Sequence, residues 1–582
     1  MVSQQVIRDQ LPEHLRQFVA KQDYSTRYTA RDQAVWRYVM RHLSIQLKNR
    51  AHPVYFDGLS RTGISVEHIP SVDEMNNCLD KLGWQAIVVD GFIPPQAFME
   101  LQALKVLAIA LDMRSIEHID YTPAPDIIHE AAGHAPIIAD EEYSEYLQRF
   151  GEVGMYAMYN QWDLLMYEAV RELSIAKERV SEDAEANNDI QSAEKNLKAL
   201  LDNPGEPSEL ALLTRLHWWT VEYGLVGEVS DSRIFGAGLL SSLEESRSCL
   251  GEDVHKVPLT TDAILTSYDI TRIQPQLFVT KSCRHLTQIL EEYAATLCYC
   301  RGGADSVQVA IDSGVVSTCV YSSGLQVSGL FSRLVRNALG TEVYIGTGGP
   351  TQLSVSCREL EGHGIKYHAE GFGSPVGRIC NLMKPLEDAS EYELQSMDIK
   401  RESEVRLEFV SGVTVAGWLK QIAKEDGKIV LMSFKNCHVS GPAGEILFDP
   451  AWGNYDMAVG EKITSVYAGS ADRLRFNVYP SKSGRTGPAS RVSTYTNREK
   501  YELSLYQQVR NFREESRSVG LDTIVKDALS SSPDAWLLHL ELLELMTADR
   551  SFDGPLKARL EQNLDRIGKS LPEVARFITR GA

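Results

Sequence analysis

The apolar residues change their spacing at about Asp305, and no single fold class accommodates both patterns. Before that point they recur every three or four residues, as in 34–47 (AVWRYVMRHLSIQL), the spacing of helices with one buried face. After it, short β-branched runs (VQVAI, VVSTCVY, EVYIG, IVLMSF, KITSVYA) alternate with glycine-containing turns, which predicts β structure. Helical spacing returns from about Asn497, in 521–546 and 556–578. At 582 residues the chain is too long for one compact core. The expected fold is multidomain: a mainly α-helical domain with a few short strands over 1–303, a β-rich domain over 304–490, and a helical region over 491–582. The first is expected to carry a charged helical insertion at about 160–212. The middle of that insertion, 171–201, mixes charge with Leu, Ile, Val and Ala and reads as a solvent-facing hairpin.

Shorter signals refine this outline. A strand-like run, 84–90 (WQAIVVD), leads to Pro94 and Pro95, which open a helix where missing N–H groups cost nothing. That helix is expected to place Phe98, Leu101, Leu104, Leu107 and Leu111 on one buried face. The glycine-rich piece 346–351 (GTGGPT) has neither the lysine of a phosphate-binding loop nor dinucleotide spacing, and is expected to be a turn.

The formal net charge of -20 argues against nucleic acid or an anionic membrane surface as the partner, because both repel an acidic chain. No apolar run approaches the roughly 20 residues that cross a bilayer. The N-terminus has no apolar signal core, so a cytoplasmic location is expected, with small-molecule ligands. Nine scattered cysteines fit free thiols in a reducing compartment.

The segment 121–140, YTPAPDIIHEAAGHAPIIAD, carries the chemistry. His129, Glu130 and His134 form H-E-x-x-x-H, one residue longer than the zinc-peptidase motif. On an α-helix, positions i and i+5 lie ~140° apart, so both histidines meet one metal only if the helix ends near the second. Gly133 and Ala135-Pro136 are expected to supply that ending. A zinc hydrolase with Glu130 as general base is therefore disfavoured. Two imidazoles and one carboxylate with open positions form the facial triad of non-haem ferrous oxygenases. Glu222, in the apolar and aromatic LHWWTVEYGL, is the candidate third ligand, because a carboxylate buried there needs a cation.

The YTPxPDxxHExxGHxP pattern, the WxTVExG segment and FGAGLLSS (235–242) resemble the pterin-dependent aromatic amino acid hydroxylases. The resemblance runs from about Trp36 to Leu297. It implies a catalytic domain over 1–303 that uses Fe(II), tetrahydropterin and O2 to hydroxylate an aromatic amino acid. His129, His134 and Glu222 would hold the iron. Asp126 would accept the second ring N–H of His129. Phe98 would stack on the pterin, and Glu130 would position it for catalysis. Arg114, Thr122 and Ser241 would clamp the amino acid, while Trp218 and Phe235 would line its ring pocket. Ile270, in SYDITRIQP, stands where an apolar residue favours phenylalanine over tyrosine; tryptophan is the alternative substrate.

Three positions depart from the family pattern: Ala108 and Pro95 near the pterin, and His217 in place of a pocket tyrosine. The C-terminal half lies outside the resemblance, and self-association, ligand binding and partner docking are all open roles for it. A degenerate hydroxylase acting as a binding protein is the remaining alternative. His363 and His368 repeat the i, i+5 spacing without helical context, and read as incidental.

Overall fold

The computed structural model describes residues 3–20, 27–89, 93–120, 125–178, 184–269, 272–477, 479, 495–514, 520–548 and 554–581. Its first half is helical with two small sheets. The helix Ala30–Gln46 starts at a capping box, in which Thr29 and Asp32 satisfy each other's backbone N–H groups, and buries Trp36, Val39, Met40 and Leu43. Gln85–Val88 pairs in parallel with Val106–Ile109. Between them lies Pro95–Ala103, shorter than the apolar spacing predicts. Lys105 adopts φ +58°, which ends the helix and sends Leu107 into the second strand. A four-stranded sheet orders its strands Asp231–Ile234, Leu225–Glu228, Gln276–Thr280 and His255–Pro258. Gln161–Glu178 packs on Ala184–Leu201, forming the paired helices of the charged segment.

The second half is built on two sheets. One contains Ser317–Tyr321, Leu325–Arg336, Glu342–Val355, Arg358–Glu359, Gly371–Pro375 and Ile463–Ala468. The other contains Ser403–Glu408, Thr414–Glu425, Lys428–Ser440, Ile446–Phe448 and Tyr455–Ala458. Four of the five β-branched runs are strands. The fifth, VQVAI, lies in the helix Gly303–Ser313, which buries Ala304, Val307 and Ala310 at three-residue steps. Its packing stripe overrides its strand propensity. The GTGGPT piece is also not a turn: it lies inside Glu342–Val355, where Gly349 at φ +69° distorts the strand without reversing it. Helices follow at Asn497–Glu514, Leu521–Ser531, Trp536–Ala548, Pro555–Ser570 and Pro572–Gly581.

A single apolar core joins the halves. It runs from Trp36 and Phe235 through Cys319 and Val466 to Leu538 and Leu564. A smaller core fills the second sheet, around Val415, Met432 and Phe434. All nine cysteines are free. Among the described residues no helix is long and apolar enough to cross a membrane.

Candidate active site

His129 and His134 come together because the backbone between them is π-helical rather than α-helical. The wider i→i+5 turn stacks positions five apart on one face. The helix does not end at the second histidine, as α-helical geometry requires; it continues through Ala135–Ile137. A second π-turn, Trp218–Glu222, closes with Tyr223 N–H donating to the Trp218 carbonyl at 2.8 Å. It turns Glu222 toward the histidines. His129 Nε2 lies 3.0 Å from His134 Nε2 and 3.2 Å from Glu222 Oε2. His134 Nε2 lies 3.3 Å from Glu222 Oε1. Ligand atoms about 2.0–2.2 Å from one ion stand at this mutual spacing. Among the described residues, no lysine or arginine pairs with Glu222; only His129, His134 and His217 do. Burial would raise its carboxyl, but His134 and His129 outweigh that and hold it well below the usual carboxylate range.

The ring of His129 is oriented by Ser241, not by Asp126. The Ser241 hydroxyl donates to the Ala237 carbonyl at 2.7 Å and stands 3.2 Å from His129 Nδ1. Its free lone pair can accept the Nδ1 proton, leaving Nε2 open toward the triad. Asp126 has a different task. Its Oδ1 accepts the backbone N–H of His129 at 2.9 Å, and both its oxygens are held by Arg114, at 2.7 Å from Nε and 2.9 Å from Nη2. Burial opposes its charge, and Arg114 more than restores it, lowering the carboxyl below its ordinary value. Arg114 Nη1 donates to the Ser241 carbonyl at 3.0 Å, and its side chain is 1% exposed.

The family sequence profile described as biopterin-dependent aromatic amino acid hydroxylase matches residues 9–174 and 192–301. Over these residues the chain is similar to that family. Phenylalanine-4-hydroxylase of Pseudomonas aeruginosa is 28% identical over 281 residues, covering 47% of this chain and 89% of that protein. The enzyme of the same name from Ralstonia nicotianae is 28% identical over 294 residues, covering 48% and 77%. A crystal structure of phenylalanine hydroxylase from Chromobacterium violaceum bound to cobalt has 27% identity, covers 47% of this chain and 82% of that one, and has a TM-score of 0.36. The match to the hydroxylase family ends at residue 301, before the first strand of the β half.

Aromatic and ionisable groups stand around the triad. Glu130 keeps some exposure, yet the protein packed about it pushes its carboxyl up to about 8. The pull of His134 opposes this, while Glu222 and Asp126 add to it. Phe98 lies edge-on to His217, ring centroids 6.1 Å apart. Trp218 is stacked between Tyr223, at 4.5 Å, and Tyr268, at 4.3 Å. Phe235 is buried against Tyr143. Thr122 and Ile270 lie outside the described residues.

His217 is the group whose role at the triad the sequence did not reveal. Its Nδ1 stands 3.8 Å from Glu222 Oε1, while Nε2 is buried without a hydrogen-bond partner. Burial pushes its pKa down to about 4, against the pull of Glu222, so the ring is neutral near pH 7. Its place beside the WWTVEYG segment, where the family pattern has a pocket tyrosine, was the available signal.

Proposed function

We propose that the hydroxylase holds ferrous iron on His129, His134 and Glu222 and converts L-phenylalanine to L-tyrosine, with tetrahydropterin and O2 as co-substrates. The observation that carries the iron is the convergence of two imidazole nitrogens and one carboxylate within 3.0–3.3 Å. A donor set of two nitrogens and one oxygen suits ferrous iron and leaves positions open. The relatives named phenylalanine-4-hydroxylase support the substrate. Bound iron and tetrahydropterin would supply the activation of O2; the chain's own residues hold and orient the reactants.

In this reading Glu222 balances the cation, and Ser241 fixes the His129 tautomer. Asp126 locks the Arg114 fork through Nε and Nη2, and Ser241 takes one N–H of Nη1. Of the five guanidinium N–H groups, two then remain, the number a bidentate substrate carboxylate takes. Thr122 belongs to the same clamp. Phe98 faces the pterin, with Glu130 beside it, and Trp218 and Phe235 border the substrate ring. Ile270 favours an apolar ring over a phenol.

The test is an assay of the purified full chain with Fe(II), tetrahydrobiopterin and each of the three aromatic amino acids. Tyrosine formation from phenylalanine is expected. Full activity in Glu222→Ala would remove the ligand assignment. Turnover of tryptophan but not phenylalanine would overturn the substrate and leave the iron site standing.

A further inference from the structure

The β half contains a second convergence of two imidazoles and a carboxylate. His363 and His368, which read as incidental in sequence, meet Asp456 from 88 residues further along the chain. Both histidine backbones are tied to the strand Glu342–Val355. Leu353 N–H donates to the His363 carbonyl at 3.0 Å, and Thr351 N–H donates to the His368 carbonyl at 3.0 Å. Gly362, at φ +83°, supplies the bend that brings His363 back over this strand. Asp456 belongs to Tyr455–Ala458 of the other sheet, opposite Ser433, whose hydroxyl donates to its Oδ1. The two histidines thus come from the turn segment between Arg358–Glu359 and Gly371–Pro375 of one sheet, and the carboxylate from a strand of the other.

Their geometry suits one ion. His363 Nδ1 lies 3.3 Å from His368 Nε2 and 3.9 Å from Asp456 Oδ2, and all three atoms lie within 4.8 Å of one another. Ligand atoms about 2.0–2.2 Å from a metal stand roughly 3 to 3.5 Å apart, so the histidines are already in place and the carboxylate needs a small movement. The side chain of Asp456 is 3% exposed. Among the described residues, His363 is the only basic group within ion-pair distance of it. A carboxylate buried in this way favours a cation beside it.

The third observation is the space beside the cluster. A cavity of about 560 Å³ is lined by His368 and Asp456 together with Arg333, Tyr367, Phe372 and Trp452. Its volume falls in the range of small-molecule sites. A structural metal is usually enclosed by four protein ligands, whereas three ligands beside an open cavity leave a position for exchange. We propose that His363, His368 and Asp456 bind a divalent first-row transition-metal ion whose remaining coordination positions open on this cavity. The site is separate from the triad of His129, His134 and Glu222, and does not depend on the reaction assigned there.

Cobalt(II) is the probe, because its visible absorption reports its ligands. The full-length H129A/H134A variant, with the first triad disabled, is equilibrated with Co2+, and bound metal is counted by mass spectrometry. One ion per chain is expected. Adding His368→Gln or Asp456→Asn should weaken its binding at least tenfold and change the absorption, with the near-ultraviolet circular dichroism unchanged. His363→Gln, at a partly exposed position, is the further variant should either buried change disturb the fold. Failure of the H129A/H134A chain to bind Co2+ overturns the proposal. So does binding that survives the substitutions undiminished in chains that remain folded.

Discussion

Gly133 has no room for a side chain. A Cβ there would lie 2.7 Å from the Ala237 carbonyl oxygen and 3.0 Å from the Ala237 side chain. Gly133 is thus the seat of the first π-turn on the helix Ala237–Ser241, which ends at the hydroxyl beside His129. Gly133→Ala should push these elements apart and weaken Fe(II) binding at least tenfold, measured by titration of the metal-free chain. Ser241→Ala removes the ring partner of His129 while leaving the three proposed ligands; a loss of about 10- to 100-fold in iron affinity is expected. Asp126→Ala leaves Arg114 buried without a counter-charge. A buried pair broken in this way costs about 3–5 kcal/mol, which urea unfolding would register.

Two π-turns bring the proposed ligands together, and neither was legible in sequence. The residue types of HEAAGH and WWTVEYG pointed to a metal site because no bland packing role explains them together. An α-helical period, however, required an end at His134, and the structure supplies a wider turn instead. The partner of His129 was hidden for a related reason: Ser241 is 112 residues away, whereas Asp126 is a near neighbour. Strand runs were easier to read, except VQVAI, where β-branched residues occupy a helical stripe. At this scale the helix Pro95–Ala103 offers a pH test. Its Glu100 is held by His14 and by Arg473 from the β half. Burial raises the Glu100 carboxyl, but the His14 hydrogen bond and Arg473 together bring it below its usual value. A lowered folded-state value means that the stabilisation is full above pH about 4.5 and is lost as the pH falls through the lowered value. Thermal unfolding between pH 3 and 7 should therefore show a shallower acid limb for Glu100→Gln than for the wild type.

At the scale of the whole molecule, the C-terminal helices are bound to the hydroxylase half by buried charge as well as by apolar contact. Arg37 donates to both oxygens of Glu541, at 2.8 and 2.7 Å, and Arg513 joins the same carboxylate at 3.2 Å. The Tyr38 hydroxyl donates to the Phe577 carbonyl at 2.8 Å. Glu541→Ala would leave two arginines without their shared partner, and a loss of about 3–5 kcal/mol in denaturant unfolding is expected. The residue at which family resemblance stops is no seam in the molecule. Just past it, a Cβ on Gly302 would lie 2.4 Å from the carbonyl of Ile463, on the last strand of the β half. A graft of residues 1–303 onto another tail would therefore inherit an incomplete interior. Whatever ancestry joined these halves, they now have to be exchanged, expressed and selected as one.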